Sequence, residues 1–180
     1  MDQPRKDWLL VVGKVMLILA EIVFVFASIG VVIGVIALLT FGRGKALADL
    51  AAAGAPSETY VALIAGLVLV WIMLSLNMMF IRQLRAIVGT VDEGDPFLPD
   101  NAARLARMGW YALGIQLCEF AGQPLVAAYG RYARGLTWGM STSGGQHISL
   151  APLGFAVTLF ILARVFRKGT EMREELEGTV

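Results

Sequence analysis

The fold is decided by residues 81–110, IRQLRAIVGTVDEGDPFLPDNAARLARMGW, the longest polar segment of the chain. This segment separates two pairs of apolar runs. Its GDPF motif at residues 94–97 predicts a turn, because proline fixes its own φ and disfavours the helical region for the preceding aspartate. A new helix is expected beyond the turn, with Asp100 or Asn101 as its cap. The segment is therefore predicted to connect two helical halves of the molecule.

The composition is typical of a membrane protein. Of the 180 residues, 57% are hydrophobic, and the mean hydropathy is +0.70. A soluble protein of this length does not need so large a fraction of hydrophobic residues to form its core. The net charge of +1 provides no bulk attraction to nucleic acid, so no direct nucleic-acid binding is expected. One cysteine and one histidine exclude a disulfide framework and a His/Cys metal cluster, and no cofactor is expected.

Four apolar runs are long enough, or nearly so, to cross a hydrocarbon core, which takes about 20 helical residues. In lipid every backbone amide must find its partner within its own segment, so the runs are predicted to be helices although valine and isoleucine are abundant. The sequence thus predicts an all-α, integral membrane four-helix bundle that forms a single domain. Its helices are expected at residues 15–40, 60–81, 108–129 and 148–166, with a loop at 82–107 and a tail at 167–180.

The distribution of lysine and arginine predicts the orientation of the bundle. Eleven of the 15 lie at the N-terminus, in the central loop or at the C-terminal end, and four lie in the other two loops. The positive-inside rule then places both termini and the central loop in the cytoplasm, at a bacterial inner membrane. The first run is too long for the apolar part of a signal peptide, so an uncleaved anchor is expected, although Ala46-Leu47-Ala48 resembles a cleavage site.

The third run is the most polar of the four. Gln116, Glu119 and Gln123 recur at spacings of three and four, so they share one helical face. A second face carries small residues at a spacing of four, and two faces unsuited to lipid predict a central place in the bundle. Glu119 is the candidate intramembrane site. It is either a structural group hydrogen-bonded to its neighbours or a functional proton or ligand site. The small residues are Gly114, Cys118 and Gly122.

The first run contains one carboxylate, Glu21, and the apolar side chains that follow outweigh its insertion cost of about 2.5–3.5 kcal/mol at the bilayer centre. Arg164 enters the membrane from the same face on the last run. An ion pair between Glu21 and Arg164 is therefore expected to hold the first and fourth helices together. Gly30 and Gly34 form a GxxxG pair, which can bring two copies of the chain together as a homodimer.

Two stretches of the chain resemble a known family. The first comprises the GDPF motif, Asn101, Arg104-Leu105 and Gly109-Trp110, and the second comprises residues 165–171 and 174–180. In both stretches the chain resembles an uncharacterised bacterial membrane family, domain of unknown function 2975. The resemblance implies four membrane helices. Because members are often encoded beside a small helix-turn-helix regulator, it also implies a partnership with such a DNA-binding protein. No catalytic residue comes with it.

Two functions from different classes fit these features. The first is a regulatory or sensory membrane protein that binds a soluble cytoplasmic partner. The alternative is a small dimeric transporter that couples its substrate to protons through Glu119 and Glu21. No phosphate-binding glycine loop, serine-histidine pair or zinc motif is present in the sequence, so an enzyme is not expected. The predicted partner surface consists of Asp95, Pro96, Phe97, Asn101, Glu171, Glu174, Glu175 and Glu177.

Overall fold

The computed structural model describes residues 8–92, 98–130 and 150–177, and the regular secondary structure in these ranges is helical throughout. The predicted all-α class is therefore confirmed. The helices are α1 (Trp8–Thr40), α2 (Arg43–Ala52), α3 (Glu58–Asp92), α4 (Pro99–Gly130) and α5 (Ala151–Glu177).

The helices extend well beyond the predicted apolar runs. Residues 82–92 belong to α3 and residues 99–107 belong to α4, so helices enter the predicted loop at 82–107 from both ends, as the helix expected beyond the turn anticipated for the second end. Arginine, glutamine, leucine and alanine, which favour helix, make up 11 of these 20 residues. The turn expected at residues 94–97 lies outside the described ranges.

The start of α4 also differs from the prediction. The helix begins at Pro99, so neither Asp100 nor Asn101 is its cap. Proline suits this first position because its missing amide would have no helical partner there, and its fixed φ is already helical. Asp100 and Asn101 therefore lie inside the first turn, where Asn101 can turn its side chain towards α3.

The short helix α2 fills most of the connector between α1 and α3. It ends in a Schellman motif, in which the amide of Ala55 bonds to the carbonyl of Leu50 at 2.9 Å and the amide of Gly54 bonds to that of Ala51 at 3.0 Å. Gly54 has a φ of 72°, a conformation that a residue without a Cβ adopts without strain. The turn leads directly into α3.

The long helices are arranged as a row rather than as a closed four-helix bundle. α3 packs between α1 and α4, and α4 packs between α3 and α5. Within the described ranges, no Cα of α1 comes within 8 Å of one in α4 or α5. Phe80 of α3 nevertheless contacts Phe155 of α5, with ring centroids 6.0 Å apart. α3, α4 and α5 thus share one core, and α1 lies along the outer side of α3.

The core is concentrated where the C-terminal part of α3 meets the N-terminal part of α4. Its buried members come from α4 and α5, and side chains of α3 cover them. The predicted small-residue stripe of α4 permits close approach to α3, since a Cβ at Gly114 or Gly122 would lie 3.2 Å from a leucine of α3. The buried members are Leu105, Met108, Ala112, Ala156, Leu159 and Ala163.

Two helical stretches, Leu10–Thr40 and Glu58–Asp92, are long and apolar enough to cross a membrane. No residue in the most apolar 18-residue window of either stretch is fully buried, and much of this apolar surface faces outward, which indicates membrane association. α4 is interrupted by Gln116, Glu119 and Gln123. The apolar part of α5 before Arg164 has 13 residues, about 20 Å of helix, which is shorter than the roughly 30 Å of a hydrocarbon core.

Candidate functional site

A buried polar junction joins the end of α3 to the start of α4. Asn101 is 0% exposed, and its Nδ2 donates to Oγ1 of Thr90 at 2.7 Å. The Thr90 hydroxyl in turn donates to the carbonyl of Ile87 at 2.8 Å, while Nη1 of Arg104 donates to Oδ1 of Asn101 at 2.9 Å. Both ends of the amide are therefore hydrogen-bonded, as a buried polar group requires. The junction fixes the relative position of α3 and α4 on either side of residues 93–97.

The location of Asn101 corrects the prediction that it belongs to a partner surface. A side chain with no exposed area cannot contact a soluble protein. Its role is structural, because it holds Thr90 and Arg104 in place. Of the other predicted surface residues, Asp95, Pro96 and Phe97 lie outside the described ranges.

The C-terminal part of α5 is a helical extension that leaves the core. Thr170 is the last buried residue among those whose burial the structure describes. It is 7% exposed, and its hydroxyl donates to the carbonyl of Phe166 at 3.0 Å. Residues 171–176, named here the α5 extension, are all exposed and remain helical. The extension contains three of the predicted surface residues, Glu171, Glu174 and Glu175. Glu177 ends the helix, and its side chain lies outside the described part of the structure.

The α5 extension carries apolar as well as acidic side chains. Met172 is 50% exposed and Leu176 is 72% exposed, and their spacing of four places them on one helical face. Glu171 forms an ion pair with Lys168 at 3.1 Å. Both side chains of that pair are more than half exposed, so the ion pair contributes little to stability. Either side chain is free to exchange its partner for another charged group.

Glu119 lies on the outward face of α4. Its side chain is exposed, between Leu117 and Phe120, which are 68% and 64% exposed. Within the described ranges it forms neither a hydrogen bond nor an ion pair, and Oε1 of Gln116 is buried without a hydrogen-bond partner. Gln123 is also exposed. The three residues share a side of α4, as their spacing predicts, and in the described part of the chain no hydrogen bond joins them.

Glu21 has two cationic partners, and Arg164 is not one of them. Its Oε1 accepts a hydrogen bond from Nε of Arg82 at 2.8 Å, and its Oε2 lies 2.7 Å from Nη1 of Arg85. The predicted Glu21–Arg164 pair is therefore wrong. Arg164 belongs to α5, which is separated from α1 by α3 and α4.

The sequence contained a signal for the correct partners. Arg82 and Arg85 are spaced by three, so both lie on one face of α3. α1 and α3 are the first two long helices, and consecutive elements usually pack as neighbours. A carboxylate on α1 was therefore better matched to this arginine pair than to a residue on the last helix.

The interface between α1 and α3 also contains an apolar groove. Its volume is about 330 Å³, and the Glu21–Arg85 ion pair forms the charged part of its lining. Lys14 of α1 pairs with Asp92 of α3 at 2.6 Å near the end of the same interface. The groove is lined by Ile18, Glu21, Ile22, Val25, Phe26 and Arg85.

Residues 44–180 match the family model described as a protein of unknown function, DUF2975. The chain belongs to the DUF2975 family. The match includes the polar junction, the core and the α5 extension of this DUF2975 protein, and α1 precedes it. Glu21 lies outside the residues that match the family model, whereas the two arginines that it neutralises, Arg82 and Arg85, lie inside them. No curated protein and no solved structure matches the chain.

Proposed function

We propose that this DUF2975 protein is a multi-pass protein of a bacterial cytoplasmic membrane that holds a soluble regulatory partner at the inner face. The observation that carries the proposal is the α5 extension, which stays helical and exposed over residues 171–176, after the buried Thr170. A helix that leaves its own core in this way presents a surface to another molecule.

The charge distribution supports the orientation in the proposal. The predicted inner loops and termini contain most of the lysine and arginine residues, and such residues are retained on the cytoplasmic side. The outward apolar faces of α1 and α3 supply the membrane contact. In this orientation the polar junction and the α5 extension lie together on the cytoplasmic side.

The side chains of the α5 extension indicate the kind of partner. Met172 and Leu176 form an apolar pair that suits a groove on another protein, the mode in which an amphipathic helix binds through residues at i and i+4. Glu171 and Glu175 lie beside this pair on the helix and Glu174 lies on the opposite side. With Arg173 included, the extension has a net charge of −2, which disfavours direct contact with nucleic acid and favours a basic protein. DNA-binding regulators are basic, so the helix-turn-helix protein implied by the resemblance fits this surface.

The test is co-purification of the full chain with the helix-turn-helix regulator encoded by the neighbouring gene. The double change Glu171→Lys and Glu174→Lys reverses the charge of the extension and leaves every buried contact in place. We expect recovery of the regulator to fall at least about tenfold, since several opposed charges at one interface cost more than about 1.4 kcal/mol.

The matched control reverses two exposed carboxylates at the other end of the molecule, Asp49→Lys and Glu58→Lys. Its recovery of the regulator should equal that of the wild type. Equal recovery from both double variants would remove the α5 extension from the binding surface and contradict the proposal.

A second candidate is a dimeric proton-coupled transporter, and one observation favours it. Glu119 is a carboxyl group on an apolar outward face with no partner in the described part of the chain, and intramembrane carboxyls of this kind often serve ions or protons. The test is flux into proteoliposomes driven by a pH gradient. Transport predicts that Glu119→Gln abolishes the flux and that Glu58→Gln leaves it unchanged.

A further inference from the structure

We propose that the groove between α1 and α3 binds an anionic phospholipid, with the phosphate on Arg82 and Arg85 and one acyl chain along α1. This site lies away from the α5 extension and does not depend on a soluble partner. Three observations support it, namely the charged part of its lining, the apolar part and the position of the arginines.

The charged part of the groove lining is cationic on its outer side. Glu21 is covered, with its side chain 15% exposed, whereas the side chains of Arg82 and Arg85 are 54% and 45% exposed. Two guanidinium groups and one carboxylate leave a local charge of +1. Glu21 engages Nε of Arg82 and Nη1 of Arg85, and each guanidinium has five N–H donors in total. Glu21 therefore fixes both arginines and leaves further donors for a phosphate, which binds guanidinium groups in bidentate fashion.

The rest of the groove is apolar. Ile18, Ile22, Val25 and Phe26 form its wall, and Ile22 and Phe26 are 46% and 69% exposed. Ile18 precedes Glu21, and Ile22, Val25 and Phe26 continue about 7 Å along α1 beyond it, so most of the apolar wall runs away from the arginines. A free phosphate would leave this wall without a ligand, whereas an acyl chain covers it. The lining therefore selects a lipid over a soluble anion.

The arginines lie where a lipid phosphate is expected. Residues 59–81 of α3 contain no charged side chain, and Arg82 follows directly. The boundary between an apolar and a charged helical segment is the level of the lipid headgroups. Among the described residues, Lys14 is the other cation of this interface, and it is already neutralised by Asp92 at 2.6 Å, so the phosphate is assigned to the arginine pair.

The experiment measures binding of fluorescent phosphatidylglycerol to the full-length protein in a non-ionic detergent, with phosphatidylcholine of the same chain length as the neutral reference. The wild type should prefer phosphatidylglycerol. Arg85→Gln should reduce that preference about fivefold, the typical contribution of one basic residue at an anionic surface. Arg107→Gln is the matched control, because Arg107 is exposed on α4 and its guanidinium contacts only the carbonyl of Ala103, at 3.4 Å, in the described part of the chain.

A second variant, Ile22→Trp, fills the groove without a change of charge and decides the matter if Arg85→Gln does not fold. It should weaken binding of phosphatidylglycerol, and soluble glycerol phosphate should not compete for the site. The proposal is overturned by equal binding of the two lipids to the wild type, or by equal losses in the Arg85 and Arg107 variants. It is also overturned if Ile22→Trp binds as the wild type does or if glycerol phosphate displaces the lipid.

Discussion

Glu21 illustrates how a single carboxylate is accommodated on an apolar helix. The side chain is mostly covered, and each of its oxygens has its own guanidinium partner, Arg82 or Arg85. Without the carboxylate, the two guanidinium groups would remain close together with no anion between them. The loss from removing Glu21 therefore includes repulsion between the arginines as well as the two missing hydrogen bonds.

We predict that Glu21→Gln lowers the free energy of unfolding in detergent by about 1–2 kcal/mol, because charge-assisted hydrogen bonds are lost at a partly covered site. In a double-mutant cycle, Glu21→Gln and Arg85→Gln should show a coupling of about 1 kcal/mol. Glu21→Gln and Arg164→Gln should be additive within about 0.5 kcal/mol. Coupling to Arg164 in place of Arg85 would contradict the pairing described here.

For single residues, the sequence predicted that a side chain such as Glu21 needs an oppositely charged partner. It did not predict correctly which residue that partner is. A carboxylate in an apolar run must be neutralised, so a cation for Glu21 could be predicted. The choice between Arg85 and Arg164 depends on which helices are adjacent, and periodicity within one helix does not contain that information. The prediction that Asn101 caps α4 was wrong for a local reason. The helix already begins at Pro99, so Asn101 lies inside its first turn.

Packing of α4 against α5 is tight at Gly109. A Cβ at Gly109 would lie 2.9 Å from the ring of Phe160. The contacting atoms are the far end of the Phe160 side chain, so a Cβ at residue 109 would have to displace the ring from its edge-on contact with Trp110, where the ring centroids lie 5.5 Å apart. The helices can approach this closely only while residue 109 has no side chain.

We predict that Gly109→Ala destabilises the protein by about 1–3 kcal/mol through overpacking, as measured by thermal unfolding in detergent. The control is Gly89→Ala on α3, where a new Cβ would meet nothing within 4 Å. That change should be neutral or stabilising by up to about 1 kcal/mol, because alanine favours helix. The double variant Gly109→Ala with Phe160→Leu should recover part of the loss, and a Gly109→Ala protein as stable as the wild type would refute the close contact.

The elements themselves were predictable in part. Apolar runs located the outward-facing portions of the long helices, because continuous valine, leucine and isoleucine stretches leave few alternatives to helix in lipid. Apolarity does not show how far a helix continues into water. The extensions at residues 82–92 and 171–177 depend on helix-favouring polar residues and on packing around Thr90 and Thr170, which are both buried.

The molecule as a whole has two ends of different character. One end contains the polar junction, the core and the α5 extension, and the other contains α2 and the turn into α3. The sequence suggested a closed bundle because each long segment is apolar. Apolar helix faces do not need a protein neighbour when lipid can cover them, so the row of helices could not be predicted from hydropathy alone.

The proposed topology predicts that Ser57 and Asp100, both exposed and at opposite ends of the molecule, lie on opposite sides of the membrane. The background for the test is Cys118→Ala, which removes the single native cysteine. A membrane-impermeant maleimide should label Ser57→Cys in intact cells and should label Asp100→Cys only after the cells are permeabilised. Equal labelling of the two positions in intact cells would contradict the topology.

The length of α3 has a mechanical consequence. The helix has 35 residues and no internal proline, so it behaves as one stiff rod about 52 Å long. A tilt of about 5° around its Glu58 end would displace Asp92 by about 4–5 Å, given that length. A change in bilayer thickness that tilts α3 would therefore displace its C-terminal end, where the side-chain amide of Asn101 donates a hydrogen bond to Thr90.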